Sequence, residues 1–361
     1  MDQAGRGAVW IIATGVIAAG LYFLREPLTI FALAVILWLV IDGAANAIRR
    51  RVHIPKIWAW AVAVVTVLGI AVAIFYVLFL EIGDLASHAK NYEASLNAKV
   101  ADVYHTLNLQ GAPPTMGVLM EHVEPTALLA QTAAALQGVA GSTVFILILV
   151  GFLASSGPIF TKKLDAIFTN PDQRGQVRAI IASIRGSMER YMWVQTVMSL
   201  LDTVLTFATL RLIGLDNALF WAFLIFFLNF IPTVGSIVAV ALPTAFAVVQ
   251  FPSVIPVIEV AFGVGFWQFA IGNFVQPRLT GESLNLSTVI VLFALTVWGV
   301  MWGIAGAFLS SPLTVMLMIV LAQFPDTKWI AIMLSADGKP TVPSSLQTNP
   351  VSDQIEVANR A

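Results

Sequence analysis

The stretches NFIPTVGSIVAVALP at 229–243 and WGVMWGIAGAFLSSP at 298–312 decide how this chain folds. Each is apolar, and each is interrupted by small residues and proline. A helix needs about 20 residues to cross a hydrocarbon core of about 30 Å, and the runs on either side of Pro232, Ala218 to Ile231 and Ser236 to Gln250, are shorter than that. Backbone released by a break at such depth must be satisfied within protein or line a wet cavity. Two broken segments in one chain are the pattern of a translocation path.

Working outward, the chain is 58% hydrophobic and 11% charged over 361 residues, which excludes an ordinary soluble domain. The fold class is an all-α polytopic membrane protein: about six full spans near 8–24, 28–48, 57–80, 142–160, 191–213 and 254–273, plus two broken or re-entrant hairpins and a helical extracytoplasmic segment. The organisation reads as N-terminal spans over 1–80, the extracytoplasmic segment 81–141, a span and a basic amphipathic helix over 142–190, a transport unit over 191–324 and a cytoplasmic tail over 325–361. The first span has the look of a signal-peptide core, but a second follows at once, so it is read as a retained helix. Cysteine is absent, so thiol chemistry, disulfides and iron–sulfur ligation are excluded. A net charge of −1 makes no case for nucleic acid, and no cofactor is expected.

Positive residues set the orientation. Arg49, Arg50, Arg51 and Lys56 follow the second span, and Lys162, Lys163, Arg174, Arg178, Arg185 and Arg190 follow the fourth. Both loops are expected in the cytoplasm, with both termini inside. Asn170–Pro171 supplies an N-cap and first helical residue. Val177, Ile181, Ile184, Met188 and Tyr191 then line one face, and Arg174, Arg178 and Arg185 another, which reads as an interfacial helix touching anionic lipid. Outside, Ile82, Leu85, Ala89, Tyr92, Leu96, Val100, Val103 and Leu107 form a heptad-like stripe. Either a helical hairpin covers this stripe within the chain, or neighbouring subunits do, which would make a homo-oligomer. His88, His105 and His122 lack the spacing of a metal site, and none is expected.

Asp202 lies near the centre of the span 191–213, where a carboxylate costs about 2.5–3.5 kcal/mol. It reads as a coupling group for a proton or cation facing a wet cavity, or as a structural carboxyl hydrogen-bonded to Thr203, Thr206 or a neighbouring helix. Gln195, seven residues earlier, shares its face. Around the first break stand Asn229, Pro232, Thr233, Gly235 and Ser236, whose freed backbone could bind a solute. For Thr233 and Ser236, helix capping is the competing reading. Gln268 and Asn273 are cavity candidates on the next span, Gly303 and Gly306 mark the second break, and Glu259 is read as snorkelling to the interface. No HExxH, GxSxG or phosphate-cradling loop is present, and an enzyme is not expected.

Three motifs together resemble the autoinducer-2 exporter family: FLNFIPTVGSIV at 227–238, NFVQPRLTGESLNLS at 273–287 and WGVMWGIAGAFLSSPL at 298–313. The positions that carry the resemblance are Asn229, Pro232, Gly235, Pro243, Asn273, Gln276, Pro277, Gly281, Gly303, Gly306 and Pro312. The resemblance implies a permease-like protein of the bacterial inner membrane that exports a small polar solute such as the quorum-sensing furanone; coupling of that export to protons is read from the mid-span position of Asp202 alone. A monovalent cation–proton antiporter and a non-transporting scaffold acting through the outer helices remain as alternatives. Asp202 belongs to no motif of the resemblance and stands on its own physical argument.

Overall fold

In lipid every peptide group must find its partner within the chain, so an apolar chain spans as helix. The computed structural model describes residues 3–87, 89–106, 113, 125–280 and 285–340. Among these no strand occurs, and Leu286 and Ser335 form an isolated antiparallel bridge. The helices are α1 (Gln3–Phe23), α2 (Arg25–Val52), α3 (Lys56–Ser87), α4 (Ala89–Thr106), α5 (Pro125–Ile167), α6 (Pro171–Ile213), α7 (Ala218–Leu228), α8 (Val234–Gln250), α9 (Val254–Ala270), α10 (Gln276–Thr280), α11 (Thr288–Leu321) and α12 (Lys328–Leu334). A π-helical segment, Ile271–Val275, links α9 to α10.

By length and composition alone five helical segments could cross a membrane, Arg25–Val52, Lys56–Ala73, Pro171–Ile213, Val254–Leu279 and Thr288–Leu321, the last of them folded back at Gly303. The pair Gly141–Gly157 and Ile159–Ile167, bent by 59°, makes a sixth if it is one span. The helices α7 and α8, at 11 and 17 residues, are the short arms expected around Pro232. The segment α11 is two helical arms that meet at Gly303, whose φ of 64° and ψ of −143° are not helical. Trp298 Nε1 donates to Thr314 Oγ1 at 3.2 Å. On an unbroken helix those residues would stand roughly 24 Å apart, so α11 is a hairpin with arms 288–302 and 304–321.

The chain divides into two compact units, one of Met1–Gly43, Ile146–Val194 and Thr280–Ala361, the other of Ala44–Phe145 and Gln195–Leu279. In the first, Ile36, Leu39, Met188, Tyr191, Met192, Leu309, Val315 and Ile319 form a buried apolar cluster. The Asn170 side chain caps α6, accepting from Asp172 N at 2.9 Å. The arginines of α6 that sequence reads as touching anionic lipid also carry ion pairs within the chain. Arg174 and Arg178 pair with Asp165 at 3.8 and 2.5 Å. Arg185 pairs with Asp42 and with Glu189 and lies 5.2 Å over the Trp38 ring.

In the second unit Leu210, Leu215, Trp221, Ile225, Ala239, Ala247, Val260 and Val264 pack α6, α7, α8 and α9 together. One residue of the outer stripe, Tyr92, and two of its neighbours on α4 find partners here. Tyr92 on α4 meets Phe246 of α8 edge to face at 5.2 Å, and its hydroxyl donates to Asp216 Oδ2 at 2.9 Å. Ser95 Oγ donates to the Val249 carbonyl, and Lys99 Nζ to the carbonyls of Val248 and Phe251. These carbonyls belong to the last turn of α8 and its C-cap, which the helix itself leaves unpaired, and a cation there complements the helix dipole. The part of the stripe at Leu107, and His88 and His122, lie outside the described residues. Replacing Lys99 with methionine is expected to weaken this end of α8 by about 1 kcal/mol, read as faster amide exchange over 248–253 with exchange in α9 unchanged.

Candidate functional site at the first helix break

Spacing on α6 builds the site. Gln195, Ser199, Asp202 and Thr206 recur at three- and four-residue intervals, which puts them on one helix face. All four are buried, Asp202 at 1% and Ser199 and Thr206 at 0% exposure. Thr209 continues the face one turn further, accepting from Trp267 Nε1 of α9 at 3.0 Å. The helices α6 and α9 meet closely here, since a Cβ on Gly263 would lie 2.6 Å from the Thr209 methyl.

Three elements converge on the carboxyl. Asn229, which ends α7, donates from Nδ2 to Asp202 Oδ2 at 2.7 Å, and Gln268 of α9 donates from Nε2 to the same oxygen at 2.7 Å. The Gln268 amide also reaches Asn229 Oδ1 at 3.0 Å, closing a triangle of one carboxyl and two amides. Gln195 Nε2 donates to the Asn229 backbone carbonyl at 2.6 Å and so satisfies an acceptor freed by the break. Asp202 Oδ1, by contrast, takes neither amide and is buried, with the buried hydroxyls of Ser199 and Thr206 one turn to either side. Among the described residues no cation pairs with Asp202.

The break itself is strained. Val234 N bonds back to the Pro232 carbonyl at 2.6 Å around Thr233, whose φ of 61° and ψ of −58° define the rarer, positive-φ form of γ-turn. Thr233 occupies the N-cap position of α8, yet its hydroxyl makes no capping bond, so capping does not explain the residue. Glycine has no side-chain penalty in such a conformation, whereas strain in a non-glycine residue costs about 1–3 kcal/mol. Thr233→Gly is accordingly expected to raise stability by about 1 kcal/mol in thermal unfolding of the solubilised protein. A lower melting temperature would contradict a strained turn.

Gly235 lets the chain reverse after this turn. A Cβ there would lie 1.8 Å from the Leu228 carbonyl oxygen, so the two arms touch backbone to backbone. The second hairpin uses the same device, with a Cβ on Gly306 falling 1.9 Å from the Trp298 carbonyl oxygen. Gly303 and Gly306 lie in the other unit and take no part in the Asp202 triangle. Asn273 is also outside it: exposed in the π-helical segment, it donates to the carbonyl of Phe269 at 2.9 Å. Thr233 is exposed, and Pro232 and Ser236 are half-buried near the tip. Sequence reasoning did not single out Ser199, Thr206 and Thr209 as one row with Asp202, although the 199–202–206 interval was there to be read.

A family model described as the AI-2E family transporter matches residues 11–326. The chain belongs to the AI-2E transporter family. Both broken hairpins and the Asp202 triangle fall inside the matched residues, and the family is one of transporters, not enzymes. A putative transport protein of Haemophilus influenzae is 28% identical over 343 residues, covering 91% of this chain and 96% of its own. The AI-2 transport protein TqsA of Escherichia coli is 26% identical over 323 residues, covering 89% of this chain and 92% of its own. The putative transport protein YhhT of the same species is 27% identical over 332 residues, covering 90% and 92%. Family membership and the apolar helices make this chain a membrane transporter.

Proposed function

We propose that this transporter carries a small, uncharged polar solute across the bacterial inner membrane and couples that movement to protons at Asp202. The observation that carries the reading is the division of labour within the carboxyl: Oδ2 takes both amide donors, whereas Oδ1 is buried, takes neither amide and can hold a proton. A carboxyl at such depth is expensive and is kept for a reason, and in transporters the usual reason is a proton or ion pathway. When Asp202 is ionised it holds Asn229 and Gln268. When it takes a proton that grip weakens, because a charged acceptor binds its donors roughly twice as strongly as a neutral one. Asn229 sits at the head of the strained turn 232–234, so the proton state of Asp202 is transmitted to the hairpin tip. Freed carbonyl and amide groups at that tip, with Thr233 and Ser236, would bind the solute.

The name of TqsA, AI-2 transport protein, makes autoinducer-2 the first solute to try. The basic loops at 49–56 and 162–190 favour cytoplasmic termini. The test is uptake of labelled autoinducer-2 into proteoliposomes under an imposed proton gradient, beside a sodium gradient of equal size. Uptake that follows the proton gradient supports the reading. Sodium-driven proton movement without solute uptake would replace it with cation–proton antiport.

A further inference from the structure

The C-terminal end of α2 carries a feature that transport at Asp202 does not use. Asn46, Arg49, Arg50, His53 and Ile54 line a cavity of about 610 Å³. Among the described residues no carboxylate pairs with Arg49, Arg50 or Arg51, whereas Arg174, Arg178 and Arg185 are all engaged by acids. One cation at this helix end would serve the dipole; three consecutive arginines with no carboxylate exceed that need. His53 closes α2 in the left-handed region, φ 55°, with its amide bonded to the Arg49 carbonyl at 3.0 Å. Glycine or asparagine is the usual residue at such a stop, and histidine here places an imidazole on the cavity wall instead. Directly beside the basic wall the surface is apolar and uncovered in its own unit: Val52, Ile57 and Trp58 are 60%, 75% and 65% exposed. Tryptophan at this level is the usual marker of the lipid headgroup boundary.

We propose that this cavity is a binding site for the headgroup of an anionic phospholipid, with Arg49, Arg50 and His53 around the phosphate and the acyl chains along Ile57 and Trp58. The choice of a lipid over a soluble phosphate rests on the exposed Val52, Ile57 and Trp58, which flank His53 and Ile54 along the chain. Each arginine near an anionic lipid surface contributes about fivefold in affinity, so removing two should weaken binding roughly 20-fold. The site is independent of solute and coupling ion.

The test is delipidated, detergent-solubilised full-length protein titrated with phosphatidylglycerol, phosphatidylcholine or inorganic phosphate, read as thermal stabilisation and as lipid retained in native mass spectrometry. Phosphatidylglycerol is expected to stabilise the protein and to remain bound. The R49Q/R50Q protein should need roughly 20-fold more of it, while the K162Q/K163Q control behaves as wild type. Equal stabilisation by phosphatidylcholine, or by phosphate alone, would overturn a headgroup site on the unmodified protein, whether or not the variant folds. Unchanged half-saturation in R49Q/R50Q would overturn it equally.

Discussion

The Asp202→Asn protein is expected to fold, to reconstitute and to show no gradient-driven transport. An asparagine can present its carbonyl oxygen where Oδ2 now accepts from Asn229 and Gln268, each at 2.7 Å. Its amide nitrogen then takes the place of Oδ1, on the helix face that carries the buried hydroxyls of Ser199 and Thr206 one turn to either side. The triangle survives, but the group can no longer gain and lose a proton. Asp202→Ala differs in an informative way, since it strands two donors aimed at a missing acceptor and should cost about 2 kcal/mol of stability as well. Comparing the two by uptake and by thermal unfolding separates loss of a titrating group from loss of a scaffold. A folded Asp202→Asn protein with wild-type gradient-driven uptake would remove the coupling role.

Gly235→Ala is expected to cause the largest loss of stability of any conservative change in this chain. The added methyl would sit 1.8 Å from the Leu228 carbonyl oxygen and 2.7 Å from its carbon, and both are backbone atoms that no rotamer change can move aside. The arms α7 and α8 must separate, and the turn that holds Asn229 moves with them. Overpacking a core typically costs 1–3 kcal/mol, and a backbone clash this close belongs at or above about 3 kcal/mol. Gly306→Ala faces the same obstacle in the second hairpin, with the Trp298 carbonyl oxygen at 1.9 Å and Trp302 Cβ at 2.8 Å. Gly272→Ala is the control, because a Cβ there meets nothing within 4 Å. Thermal unfolding and recovery from size exclusion read all three. A Gly235→Ala protein as stable as Gly272→Ala would show that the hairpin arms do not touch.

The two broken segments were legible in the sequence because their cause is local. Proline and glycine interrupt helices wherever they stand, and runs too short to span declare themselves by length. Asp202, Asn229, Gln195 and Gln268 were legible one by one, since each is a polar group at a depth that penalises it. Their union at one oxygen was not, because it depends on how α6, the end of α7 and α9 meet, and helix periodicity gives a face without saying what it faces. The contacts of α4 were hidden in the same way. Its apolar period announced a partner, but only the fold assigns Tyr92 to Phe246 and Lys99 to the carbonyls closing α8. The ion pairs of the basic face of α6 were not legible for a related reason: Asp165 and Asp42 stand 13 and 143 residues from Arg178 and Arg185, beyond the reach of a helix-periodic charge pattern.

Coupling at Asp202 is tested most directly by counting protons. Proteoliposomes holding a trapped pH indicator are given a proton gradient, and its decay is followed on adding autoinducer-2 to the outside, with wild-type and Asp202→Asn protein in parallel. The account predicts that solute accelerates the decay in the wild type and leaves it at the basal leak in the variant. Solute-dependent decay of equal size in Asp202→Asn would contradict it, and would place proton coupling elsewhere in the chain.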